Sequence, residues 1–337
     1  MKAVGYYKSL PIDDAESLLD LEIDKPTATG RDLLVKIEAV SVNPVDTKMR
    51  RRAAGENGKP RILGWDAAGV VAAAGPECRL FKAGDRVWYA GSIARPGTNS
   101  EFHLVDERIV GAMPKSLDFA QAAALPLTTI TAWEMLFDRF AIRIGKPPAA
   151  GALLIIGGAG GVGSIAIQLA RRLTGLTVIA TASRTETRQW CLDLGAYHVV
   201  DHSKPLAGEL AAIGHPQIDY VFSVAATDPH FAQIVEIVAP QGKFGLIDDP
   251  KSLDALPFKR KSVSIHWESM FTRAIFETPD MIAQHRLLSE VAGLVDDGLI
   301  RTTLAQPMGA INAANLKRAH ALIESGKAKG KVVLTGF

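Results

Sequence analysis

The chain has 337 residues, more than one hydrophobic core ordinarily serves, so two domains are expected. Hydrophobic residues make up 47% and charged residues 22%; with a net charge of +2 and no run of like charges, neither nucleic acid nor an acidic membrane surface is an expected partner. Two cysteines, Cys78 and Cys191, exclude a disulfide framework and a thiolate-rich metal site.

The opening Met1-Lys2-Ala3-Val4-Gly5-Tyr6-Tyr7-Lys8 has no apolar block followed by a cleavage site. Residues 33–42 alternate, with Val35, Ile37 and Ala39 on one face and Lys36 and Glu38 on the other, which predicts a strand. Residues 69–74 and 109–113 are further short strands between Gly and Pro breaks. Turn signals such as Gly84-Asp85 and Pro96-Gly97 recur as a many-stranded, partly open barrel requires. Asp118 with Gln121 resembles a capping box, and 120–125 suits a short helix ended by Pro126. Residues 144–151, with Pro147-Pro148, read as a connector. Strands are then expected at 152–157, 176–182, 197–201, 218–224 and 242–248, with helices at 161–173, 185–194, 204–213 and 229–238. Repeated strand–helix alternation predicts an α/β fold with a parallel, doubly wound sheet. The tail loosens into 279–297, a helix at 312–325 and a last strand at 331–335. The uncharged stretch 152–170 is too rich in glycine, and too polar at Ser164 and Gln168, for a membrane span, and the chain reads as cytoplasmic.

The apolar Leu153-Leu154-Ile155-Ile156 leads into Gly157-Gly158-Ala159-Gly160-Gly161-Val162-Gly163, in which Gly158, Gly160 and Gly163 satisfy G-x-G-x-x-G. The first glycine allows the turn, the second lets a pyrophosphate approach the backbone, and the third lets helix pack on strand. N–H groups from Gly158, Ala159, Gly160, Gly161, Val162 and Gly163 then face the anion. The plainer alternative is a glycine-rich loop that binds nothing.

An NAD enzyme needs a carboxylate near the end of the second strand for the ribose 2′-hydroxyl. Here that strand ends Ile179-Ala180-Thr181-Ala182-Ser183-Arg184, without an acid. Arg184 can pair with a 2′-phosphate, Ser183 can donate to it, and Arg188 lies one helical turn on. His202 can line the same pocket. NADPH is therefore the expected cofactor, against the alternative that Arg184 is a solvated loop charge.

Further segments carry a resemblance. Ser41-Val42-Asn43-Pro44-Val45-Asp46-Thr47-Lys48, Leu63-Gly64-Trp65-Asp66-Ala67-Ala68-Gly69 and Gly84-Asp85-Arg86-Val87 resemble N-terminal signatures of medium-chain dehydrogenases/reductases. Ala123-Ala124-Leu125-Pro126 with Thr131-Ala132-Trp133 resembles the segment that opens their cofactor domain. The likeness spans essentially the whole chain. It implies a β-rich GroES-like domain made from both chain ends (1–127 and 268–337) and a central Rossmann-type domain (128–267). In the zinc alcohol dehydrogenases of that family a cysteine stands at Asn43, a Gly-His-Glu at Gly64-Trp65-Asp66, and a third ligand near Leu127. An amide, an indole and an alkyl group cannot assemble such a site, so no zinc is expected.

Without a Lewis acid, an unactivated alcohol is a poor substrate, and a quinone or a double bond conjugated to a carbonyl is the expected small-molecule acceptor. By resemblance Asn43, Lys48 and Thr131 line the active cleft of quinone oxidoreductases. Asn43 would donate to the acceptor oxygen, Lys48 would draw electron density or supply a proton, and Thr131 would touch the nicotinamide. The alternatives are a turn-forming Asn-Pro, a solvated lysine, and for Asp66 either a proton relay or a cap of backbone N–H groups. Gly326-Lys327-Ala328-Lys329-Gly330-Lys331 resembles a family segment that returns to the cleft, and its lysines read as a solvated turn rather than as phosphate ligands. The resemblance also implies a homodimer, paired through edge strands near the alternating 262–267 segment. Two other functions stay open: an NADP-linked alcohol dehydrogenase, and an NADPH-binding protein without catalysis.

Overall fold

A computed structural model describes residues 1–147 and 150–337, so Pro148 of the expected connector lies outside the described residues. The α/β class is as expected, and the chain forms two compact units, Met1–Ile130 with Phe271–Phe337, and Thr131–Met270.

The first unit holds strands β1 (Lys2–Tyr6), β2 (Leu19–Glu22), β3 (Asp32–Val42), β4 (Arg61–Ile62), β5 (Asp66–Ala74), β6 (Arg86–Ala90), β7 (Phe102–Asp106) and β8 (Val110–Ala112) from the N-terminal part. The second unit contributes β9 (Ala152–Ile156), β10 (Thr177–Thr181), β11 (His198–Val200), β12 (Ile218–Ser223), β13 (Val238–Leu246) and β14 (Ser264–Trp267). The tail returns β15 (Leu304–Pro307) and β16 (Lys331–Thr335) to the first unit, in a sheet ordered β15-β16-β3-β5-β6-β8 with β7 also on β3. The alternation read for β3 has its cause in antiparallel pairing with β5, where Val35 and Ile37 are buried and Lys36 exposed.

Helix α1 (Pro44–Arg52) was not foreseen from the sequence. Asn43 is its N-cap, Pro44 fills the position where a missing N–H costs nothing, and Asp46 closes a capping box back onto Asn43. Helix α2 (Phe119–Ala123) has the expected Asp118–Gln121 capping box. Pro126 does not terminate it; it opens α3 (Pro126–Trp133), by the same preference of proline for the first helical turn. A π-helical turn, Glu134–Arg139, continues α3.

In the second unit every sheet pairing is parallel, in the order β11-β10-β9-β12-β13-β14. Helices α4 (Gly161–Leu173), α5 (Thr185–Asp193), α6 (Leu206–Ala212) and α7 (Thr227–Ile237) connect the strands. Leu154, Ile179, Val221, Phe244 and Leu246 form part of the core between sheet and helices. Strand order reverses beside β9, so the carboxyl end of β9 is the crevice where such sheets take ligands. The tail adds α8 (Thr272–Ile275), α9 (Ala283–Asp296) and α10 (Ala313–Glu324) to the first unit. Among the described residues, no helix is long and apolar enough to cross a membrane.

Candidate active site

The glycine loop sits at that crevice. Gly157 has φ +85°, a conformation that side chains with a Cβ disfavour. A Cβ on Gly158 would lie 2.7 Å from the Cβ of Ala180 on β10, and one on Gly163 would lie 2.5 Å from the Gly157 carbonyl oxygen. Gly160 differs: its Cβ would meet only the Gly157 oxygen, at 3.5 Å. Two glycines are thus required by protein packing, and the third leaves an open face at the start of α4. First-turn N–H groups, including those of Gly161, Val162 and Gly163, have no acceptor within the helix and mark an anion site.

Thr181, at the end of β10, ties this loop to the next strand. Its hydroxyl accepts from Gly157 N at 3.0 Å and lies 3.1 Å from His202 Nδ1. The Gly158 N–H donates to the Thr181 carbonyl at 3.2 Å. The His202 ring lies 6.0 Å from that of His230, whose pKa is lowered by burial and by His202. Ser183 and Arg184 are exposed just beyond β10, with Arg184 3.7 Å from Glu186. Arg188 is committed elsewhere, donating to the Val199 carbonyl at 2.8 Å and the Ala182 carbonyl at 3.4 Å.

In the second unit the buried Glu268 lies 2.8 Å from Arg139 Nε. Burial, and then the neighbouring Glu134, hold its carboxyl far above the usual range, against the pull of Arg139. Thr131, buried on α3, belongs to this unit.

In the first unit Asp66 is a hub. Its Oδ2 accepts from Ser41 Oγ at 2.8 Å, Asn43 Nδ2 at 2.9 Å and Lys331 Nζ at 2.9 Å. Its Oδ1 accepts from Leu127 N, 2.8 Å away at the N-terminus of α3. Lys331 also donates to Asn43 Oδ1. Asp46 accepts from Asn43 N at 2.6 Å and Gly64 N at 3.0 Å. Burial raises Asp46 to about 7, opposed by those two N–H groups and by Lys331. Both ends of the Asn43 amide are therefore engaged inside the protein, and the side chain is 1% exposed. Lys48 is half-buried on α1, one turn beyond the cap.

Family models match two stretches, an alcohol dehydrogenase GroES-like domain over residues 29–115 and a zinc-binding dehydrogenase over 194–334. A zinc-type alcohol dehydrogenase-like protein of Staphylococcus aureus (strain COL) is 41% identical over 338 residues, covering 99% of each chain. The chain belongs to the medium-chain dehydrogenase/reductase superfamily. It is an oxidoreductase of that group. A solved structure from Rhizobium etli CFN 42, whose name places it among zinc-dependent alcohol dehydrogenases, is 61% identical with a TM-score of 0.96, covering 100% of this chain and 98% of that one. The Escherichia coli quinone oxidoreductase complexed with NADPH shares the fold, at 23% identity and a TM-score of 0.84, covering 99% and 100%. An Arabidopsis thaliana NADPH-dependent alkenal/one oxidoreductase is 36% identical over 194 residues, 55% of this chain and 49% of its own.

The superfamily uses a nicotinamide dinucleotide, and the residues fit one: the open face at Gly160, the helix start behind it and the exposed Ser183 and Arg184 all lie on the edge formed by β9 and β10. Zinc, present in several of these names, does not fit. At the three ligand positions stand an amide already bound at both ends, an indole and an alkyl side chain, beside the buried ammonium of Lys331. Among the described residues no three His, Cys, Asp or Glu side chains are grouped to hold a metal ion.

Of the sequence-derived site residues, the structure gathers Gly158 to Gly163 with His202 through Thr181, and places Asn43 and Lys48 on one helix. Lys331 corrects the expectation of a solvated turn: it opens the apolar strand β16 and is 2% exposed. A lysine heading an otherwise apolar strand was the signal that could have shown it. Asp66 combines the expected capping role, toward Leu127, with a wider one. Thr181 was missed because a lone threonine at a strand end carries no pattern.

Proposed function

We propose that this protein uses NADPH to reduce a quinone or an α,β-unsaturated carbonyl compound, by hydride transfer without zinc. The observation that carries the reading is the residue set at the family's metal-ligand positions, Asn43 with its amide bound at both ends, Trp65 and Leu127, which offers no site for a Lewis acid to activate an alcohol. Support for NADPH comes from the end of β10, where Ser183 and Arg184 stand in place of a carboxylate. The name of the Arabidopsis protein, an NADPH-dependent alkenal/one oxidoreductase, agrees with it, and the Escherichia coli quinone oxidoreductase complexed with NADPH shares the fold.

Reduced nicotinamide, when bound, is the source of the hydride. For an enone, hydride adds to the β-carbon, the carbonyl oxygen takes the electron pair as an enolate, and a proton from solvent completes the α-carbon. For a quinone, hydride and a proton give the hydroquinone. The Gly158–Gly163 loop and the start of α4 would hold the pyrophosphate, and Thr131 would face the nicotinamide. Lys48 stabilises charge developing on the acceptor oxygen. Asn43, occupied by Asp66 and Lys331, positions α1 and Lys48 and does not itself meet the acceptor.

The test is NADPH oxidation against a panel of quinones, enals, enones and simple aldehydes, with primary alcohols and NADP+ in the reverse direction, all repeated after exhaustive chelation. Metal-independent turnover of a quinone or enone is expected. Turnover confined to alcohols would favour the alcohol dehydrogenase reading, and tight NADPH binding without any turnover the non-catalytic one.

A further inference from the structure

His202 is held by a hydroxyl that suits either of its protonation states. Its Nδ1 lies 3.1 Å from Thr181 Oγ, which also accepts from the Gly157 N–H at 3.0 Å. A hydroxyl has one hydrogen to donate and two lone pairs to accept with. With Gly157 on one lone pair, Thr181 can donate to a neutral ring or accept from a charged one on the other. His202 can therefore gain a proton without losing this contact.

The ring also stands where an anion is expected. In the parallel pairing of β10 with β11, Thr181 is level with Val200. Just past β10 the Ala182 N–H still donates to the Val200 carbonyl at 3.0 Å, so the two chains stay together. Two residues beyond the Thr181–Val200 pair, Ser183 comes level with His202, and neighbouring strands lie only about 4.8 Å apart. Ser183 and Arg184 mark the proposed 2′-phosphate position, and the half-buried His202 adjoins it from the next strand.

The charges around His202 are largely engaged with other groups. Asp201, which precedes it, accepts from the N–H and hydroxyl of Ser203 at 2.9 and 2.7 Å. On α6, Glu209 accepts from Asp201 N at 3.1 Å and lies 3.7 Å from Lys204. On α5, Arg188 donates to the Val199 and Ala182 carbonyls, and Glu186 lies 3.7 Å from Arg184. From α7 comes His230, its ring 6.0 Å away; burial, and then His202, lower its pKa and keep it neutral. Among the described residues no carboxylate is hydrogen-bonded to the His202 ring, so an anion that pairs with it has to come from outside the chain.

We propose that NADPH binding is linked to a proton through His202, which takes up a proton from solvent and pairs as imidazolium with the 2′-phosphate. The inference rests on the NADPH reading and makes His202 a second determinant of cofactor choice. Arg184 keeps its charge at every working pH, whereas an imidazole changes charge in the physiological range. The preference for NADPH should then weaken as pH rises, because the imidazolium is the form found at lower pH. The phosphate cannot mimic this effect. A phosphate monoester that binds as the dianion sheds its last proton near about pH 6, which is release and not uptake.

The experiment is calorimetric titration of the full chain with NADPH and with NADH near about pH 7. Running it in PIPES and again in Tris, which differ in heat of ionisation, counts the protons exchanged. NADPH should take up a sizeable fraction of one proton and NADH close to none, and His202→Gln should abolish the uptake. From about pH 6.5 to about pH 8 the affinity for NADPH should fall about three- to tenfold more than that for NADH. His202→Lys, with a fixed charge, should keep the preference for NADPH and show no uptake, which a merely structural histidine does not predict. Equal uptake with the two cofactors in the native protein, or uptake that survives His202→Gln, overturns the role of His202. A preference for NADPH by the same factor at every pH would leave the cofactor reading standing without it. Equal affinities for the two cofactors throughout that range overturn both.

Discussion

Three glycines that satisfy one motif do three different jobs at the residue scale, and substitution should separate them. Gly160→Ala adds a methyl group that meets only the Gly157 oxygen, at 3.5 Å, so the protein should keep its Tm while losing affinity for NADPH. Gly163→Ala forces a methyl group to 2.5 Å from a backbone oxygen and should destabilise the unit by about 1–3 kcal/mol. Thermal melts beside cofactor titrations distinguish the two, and a Gly160→Ala protein with native affinity would remove the pyrophosphate from that face. Arg184 bears on cofactor choice. Its exposed pairing with Glu186, at 3.7 Å, contributes little to stability. Arg184→Ala should cut the preference for NADPH over NADH by roughly ten- to a hundredfold, the worth of a charge-assisted contact of about 1.5–3 kcal/mol. Equal affinities in the native protein would count against both Ser183 and Arg184. The glycine loop was readable because each glycine answers a steric demand confined to neighbouring residues. Lys331 was not, because its partners Asn43 and Asp66 are distant in sequence and only pairing of β16 with β3 brings them near.

Elements repeat the contrast. Helix α4 was legible from its start to its end because apolar periodicity and the glycine turn agree. Helix α1 escaped because Asn43-Pro44 also reads as a turn, and Asp46, which completes the capping box, was read only as part of a family signature. The π-helical turn after α3 has no simple sequence signature; in the structure it carries Glu134 and Arg139 to Glu268. That cluster makes a pH prediction. Glu268 holds its proton more tightly folded than unfolded, so stability should fall as pH climbs from the ordinary carboxyl range through about 9. Glu268→Gln should flatten that decline and at the alkaline end exceed the native protein by on the order of 1–2 kcal/mol, a few degrees in Tm. Identical slopes of Tm against pH for the two proteins would show that Glu268 is ionised throughout.

On the scale of the whole molecule, the alternation of strand and helix foretold a parallel sheet, but not that β13 would begin at Val238, before the predicted residue 242. Strand β14 ends the six-stranded sheet with one edge paired to β13, and Trp267 on it is 53% exposed. We propose that two copies pair along this edge as a homodimer, which hides an apolar strand edge that would otherwise invite aggregation. Light scattering at micromolar concentration should give twice the 36.1 kDa chain mass, and a monomer mass would remove the idea.

The position of β16 also sets an order of events during synthesis. It lies between β15 and β3 and covers residues 39–42 of β3, yet it follows the whole of Thr131–Met270 in the chain. Thr131–Met270 can close its own sheet while the first unit still waits for that strand, with Asp66 lacking its cation. A ribosome that stops short of Lys331 therefore releases a chain whose cofactor half can be finished and whose other half cannot.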